Sequence, residues 1–186
     1  HLPMSPYISL YLRTSPYVSQ VEYMKEVAKN AAEDLSLEER NLLSVAYKNV
    51  VGARRASLRI IGSIESKEAQ KGDDEKTGLI SAYKAKVETE LNAICKDILT
   101  LLDESLLTKA GHAEPAVFYQ KMKADYYRYL AEFSTGAVKT EHADQAETAY
   151  TAATNAAAGL APTHPIRLGL ALNYSVFLYE VQGKQP

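Results

Sequence analysis

The chain has 186 residues, 21 Lys+Arg against 23 Asp+Glu, a formal net charge of −2, and 46% hydrophobic and 24% charged residues. That balance is globular and fits one domain with a self-sufficient core, and it excludes nucleic-acid or membrane binding by bulk charge. A single cysteine, Cys95, excludes an intrachain disulfide framework and a zinc ribbon and points to a reducing, cytoplasmic setting.

In chain order, the first twenty residues carry Pro3, Pro6 and Pro16 among Tyr, Leu and Ile without a helical stripe. Proline inside a helix costs about 3 kcal/mol, so residues 1–20 read as an irregular arm. Beyond it the apolar spacing is helical: Leu42, Val45, Ala46, Val50 and Ala53 recur at three- and four-residue steps, as do Ile80, Tyr83, Val87, Leu91, Ile94, Ile98 and Leu101. Ser36 before Leu37-Glu38-Glu39 is a cap with acids in the first turn. Gly72-Asp73-Asp74 breaks the next helix, Gly111 and Pro115 bracket a turn, Gly136 ends a segment, and Thr163 with His164-Pro165 starts the last helix. These signals predict helices over 20–34, 37–69, 76–108, 114–134, 140–159 and 164–182. The expected fold is all-α, an antiparallel array of about six to seven helices over 21–186 that form a concave groove. No apolar run is long enough to span a bilayer. The stop at 183–186, directly after an apolar helix, suggests a fragment or a short family member.

Three helices each carry one polar pair seven residues apart. Lys48 and Arg55 share a face with Gly52 between them, while Leu42, Leu43, Val50 and Val51 point to a core. Two cations around a glycine gap could hold an anion, but spacing alone favours a solvated basic face. Lys121 and Arg128 repeat the spacing, with Asp125 one turn from each and Tyr129 adding a hydroxyl. Arginine's planar fork suits bidentate contact with phosphate. The bland reading makes Tyr126, Tyr127 and Tyr129 amphipathic rim residues. Asn173 and Glu180 form the third pair, with Gly169, Leu172 and Val176 on an adjoining stripe. An asparagine both donates and accepts, which suits clamping a peptide backbone, and core packing is the alternative for the aliphatics. Together the pairs imply a groove with one cationic wall and one wall of amide and aliphatic groups.

Glu38–Arg55 (EERNLLSVAYKNVVGARR), Asp125–Glu132 (DYYRYLAE) and Pro162–Ser175 (PTHPIRLGLALNYS) resemble hallmark blocks of the 14-3-3 phosphopeptide-binding proteins. The resemblance runs from about Val21 to Glu180. It implies a helical, W-shaped dimer whose protomers each hold an extended phosphoserine or phosphothreonine segment of a client protein. Lys48, Arg55 and Arg128 match the phosphate-binding cations and Tyr129 the phosphate-binding hydroxyl. Asn173 matches the backbone clamp, Lys121 a flanking contact, Gly169, Leu172 and Val176 the aliphatic wall, and Glu180 the polar rim. Tyr83, Lys86 and Glu90 match dimer-interface residues. Ser57 matches an interface serine whose phosphorylation favours monomers, with Arg54 and Arg55 placed for a basophilic kinase. The implied partners are phosphorylated clients and a second 14-3-3 chain, as homo- or heterodimer.

Two departures accompany the match. The family's two last helices, with their asparagine, tryptophan and leucines, have no counterpart here, and its first helix is unrecognisable, with Pro16 and Ser19 where an arginine and an acid are expected. Neither catalysis nor a resident metal or cofactor is indicated. His1, His112, His142 and His164 are scattered, no Gly-rich phosphate loop or nucleophile elbow occurs, and Glu88 and Glu90 do not face each other. A tetratricopeptide-like scaffold indifferent to phosphate is the rival class, although no 34-residue repeat is present.

Overall fold

The computed structural model describes residues 16–184, and among them every regular element is helical. In chain order these are α1 (Pro16–Asn30), α2 (Leu37–Gln70), α3 (Asp74–Leu101), α4 (Ala113–Glu132), α5 (Gly136–Ala157) and α6 (Pro165–Glu180). A π-helical turn at Leu102–Leu106 follows α3, closed by the Leu107 amide donating to the Leu102 carbonyl at 2.8 Å. The all-α expectation holds.

Helix ends differ from the sequence reading for physical reasons. Helix α1 begins at Pro16, inside the stretch read as an irregular arm, because a first-turn N–H has no intrahelical acceptor and proline loses nothing there. The rest of that arm, residues 1–15, lies outside the described residues. The same helix stops at Asn30 rather than 34, where Lys109 Nζ donates to the Ala31 carbonyl at 2.6 Å and reaches the Ala28 carbonyl at 3.4 Å. A lysine ammonium thus takes up orphan carbonyls at a helix C-terminus. Gly136 opens α5 rather than ending the segment before it; its φ of +57° reverses the chain in the short link from α4. The cap of α6 is His164, not Thr163, its Nδ1 accepting from the Ile166 amide at 3.3 Å with Pro165 following.

Two compact units divide the chain. The first takes the residues through Val27 and Leu37–Ile94, the second Ala28–Ser36 and Cys95 onward. In the first, α2 turns into α3 at Gly72, whose φ is +74°, and Asp73 caps α3 by accepting from the Lys76 amide at 3.1 Å. Glu65 of α2 accepts from Ser81 and, at 2.8 Å, from Lys84 of α3. These bonds, chiefly that from Lys84, lower the Glu65 carboxyl below its ordinary range. Leu43, Ala46, Tyr47, Val50, Val51, Leu58 and Ile61 of α2 are buried, as are Val87 and Leu91 of α3. Leu42, expected to point to the core, is instead 52% exposed, and Val45 of the apolar spacing is 51% exposed. At 100° per residue Leu42 falls about 100° to one side of the Leu43–Tyr47–Val50 stripe and Val45 nearly opposite it.

In the second unit α4 and α5, linked by three residues, pack along each other, and α6 lies against both. Small side chains make this approach possible. Ala146, Ala149, Ala153 and Ala157 form one stripe of α5 that is buried with Val117, Ala124, Leu170 and Phe177. Tyr150 is the one large residue of that stripe, and it is fully buried.

Candidate functional site

The second unit's polar cluster is organised by one carboxylate. Asp125 of α4, 7% exposed, accepts from Lys121 Nζ at 2.8 Å through Oδ2 and from Tyr150 OH at 2.5 Å through Oδ1. Asn173 of α6 donates its Nδ2 to both oxygens at 2.9 Å, and Arg128 Nη2 lies 3.5 Å from Oδ1. The i,i+4 and i,i+3 spacing of Lys121, Asp125 and Arg128 puts all three on one face of α4, as the sequence spacing implies. Arg128 is 8% exposed. Its Nε donates to Tyr150 OH at 3.1 Å, and its Cζ sits 4.7 Å from the centre of the Tyr129 ring. Burial pulls the guanidinium pKa down, but Tyr150, Asp125 and Tyr129 raise it by more, so Arg128 is held above its ordinary value and is always charged. Burial, with the Asp125 charge, pushes the Tyr150 phenol well above the normal range, so it stays a donor.

The remaining residues of this set are more open. Leu172 is 64% exposed on α6, Glu180 is exposed, and Val176 and Gly169 are half-buried. A Cβ on Gly169 would lie 3.8 Å from Lys121 Cε, so the lysine stem passes over bare backbone there.

Lys48 and Arg55 belong to the first unit. They stand two turns apart on α2, Lys48 exposed and Arg55 half-buried, and a Cβ added at Gly52 between them would meet nothing within 4 Å. The residues assigned to pairing of chains are in the same unit. Ser57 and Tyr83 are half-buried and Lys86 is exposed. Glu90 accepts within its own chain from Arg54 Nε at 3.3 Å, and Arg54 is buried. Burial and the Glu90 charge raise the Tyr83 phenol.

Spacing brought Lys121, Asp125 and Arg128 together correctly, but it missed Tyr150 and the tie of Asn173 to Asp125. Both are contacts between helices, which periodicity within one helix does not encode. The available signal was a lone tyrosine in the alanine-rich run AETAYTAATNAA, where a large polar-tipped side chain needs a partner for its hydroxyl.

Known proteins match this chain over most of its length. The family model described as 14-3-3 protein covers residues 8–186, and the chain belongs to the 14-3-3 family. It is 59% identical over 167 residues to the 14-3-3-like protein GF14 nu of Arabidopsis thaliana, covering 89% of this chain and 63% of that protein. Identity to the 14-3-3-like protein GF14-C of Oryza sativa subsp. japonica is 59% over 167 residues, 89% of this chain and 65% of the relative. The checkpoint signal transducer rad24 of Schizosaccharomyces pombe is 58% identical over 166 residues, 89% of this chain and 61% of its own length. The chain therefore spans just under two thirds of these relatives. Among the described residues, no helix is long and apolar enough to cross a membrane.

Proposed function

We propose that this chain is a non-catalytic cytoplasmic adaptor that binds phosphoserine- or phosphothreonine-containing segments of client proteins and thereby regulates them. Lys48, Arg55 and Arg128 share the phosphate's charge of about −1.5 to −2, and Tyr129 donates its hydroxyl to it. Asn173 and Lys121 hold the ligand's main chain and flank, Gly169, Leu172 and Val176 meet its side chains, and Glu180 forms the polar rim. Two copies pair, with Ser57, Tyr83, Lys86 and Glu90 at the interface. The observation that carries this reading is Arg128, a guanidinium buried and oriented by Asp125, Tyr150 and Tyr129 in a chain that belongs to the 14-3-3 family. A cation fixed in advance gives up little freedom when an anion arrives.

Lys48 tests the reading because it is exposed, so replacing it leaves the fold intact. Lys48→Glu should weaken a phosphoserine peptide by about 2–5 kcal/mol, the range for charge pairs broken at interfaces. Titration calorimetry beside circular dichroism reads this. Unchanged affinity in a folded variant would overturn the assignment.

A further inference from the structure

Tyr150 lies outside the residues through which the family likeness assigns the phosphate site. Its ring is fully buried, stacked on Tyr174 at 5.0 Å and 14°, with Phe177 at 5.4 Å. A phenylalanine would fill the same space, so the hydroxyl is what the sequence adds. A buried hydroxyl is costly unless bonded, and this one is bonded on both sides. It donates to Asp125 Oδ1 at 2.5 Å and accepts from Arg128 Nε at 3.1 Å.

That places an oxygen between two groups that otherwise attract directly. An arginine and a carboxylate one turn apart on a helix close readily into a bidentate pair, fork against fork. Here the closure is incomplete: Arg128 approaches Asp125 only through Nη2, at 3.5 Å, while Nε is turned to Tyr150. Neither contact uses Nη1. We propose that Tyr150 is a positioning residue that holds Arg128 off Asp125 and keeps one edge of its guanidinium presented to an incoming phosphate. The stack against Tyr174 and Phe177 fixes where the hydroxyl sits, and the hydroxyl fixes the plane of the fork. Without it, Arg128 swings onto Asp125 and an arriving phosphate must first break that pair. The inference rests on the phosphate-site reading for its consequence, though not for its geometry.

Tyr150→Phe is the test, read in two ways. With a phosphoserine peptide, the variant should bind about three- to tenfold more weakly, the scale of one net hydrogen bond. In an Arg128→Lys background, which has no Nε–H, the same change should cost nothing further. A merely structural role predicts equal loss in both backgrounds, and that result would overturn the proposal. The second readout needs no ligand. In nitrogen-15 spectra of arginine side chains, the Arg128 Nε–H of the unaltered chain should exchange with water far more slowly than that of free arginine, and its resonance should move in Tyr150→Phe. A fast-exchanging Nε–H in the unaltered chain, or an unmoved resonance in the variant, would refute the positioning role even if peptide binding is normal. Failure of the unaltered chain to bind phosphopeptide with the resonance behaving as expected would instead count against the phosphate-site reading alone.

Discussion

Asp125 sits 7% exposed between Lys121 and Arg128 and takes four further bonds or contacts from Tyr150, Asn173 and Arg128. A buried carboxylate is tolerated only when so surrounded. Asp125→Asn keeps the shape and one acceptor oxygen but leaves the Arg128 guanidinium buried without its counter-charge. Such an uncompensated charge should cost about 3 kcal/mol of stability. A denaturant midpoint lowered without a change in slope is the expected result, and an unmoved midpoint would contradict the role given to Asp125. Of this cluster, the α4 members were legible in the sequence because three- and four-residue spacing places them on one face. Tyr150 and the amide of Asn173 were not, since which helices meet is decided by packing of the whole unit. Leu42 shows the opposite error: an apolar residue read as core stands 52% exposed. Helical spacing defines stripes, but one apolar residue at the edge of a stripe belongs to either side.

At the scale of elements, helices long enough for several turns of periodicity were readable in both existence and type, and the ends were less so. Signals that act through local chemistry held, as at Gly72, where a positive φ of +74° makes the turn, and at Leu37-Glu38-Glu39, where acids enter the first turn of α2. Ends set by distant groups did not. The ammonium of Lys109 reaches the carbonyls at Ala28 and Ala31 from 81 and 78 residues away, and nothing near Asn30 announces it. The π-helical turn at Leu102–Leu106 is equally silent, because its leucines and acids fit an α-helical reading as well. Proline and glycine misled by position: Pro16 at a first helical residue and Gly136 opening α5 both carry breaker chemistry at places where a helix accepts it.

At the scale of the whole molecule, two claims rest on the family and on chemistry together: pairing of chains and binding of phosphorylated segments. Ser57 lies one turn beyond Arg54, which is bound to Glu90. A negative charge at 57 competes with Glu90 for that guanidinium and adds repulsion where chains are proposed to meet. Ser57→Glu should therefore lower the solution mass by light scattering from two chains toward one. An unaltered dimer mass would contradict the interface assignment. The central claim is phosphate dependence, and fluorescence anisotropy tests it most directly. A labelled Arg-Ser-x-phosphoSer-x-Pro peptide and its unphosphorylated twin are each titrated with the 186-residue chain. Saturable binding of the phosphorylated peptide alone is the predicted result. Equal binding of the two, or binding of neither, would contradict it.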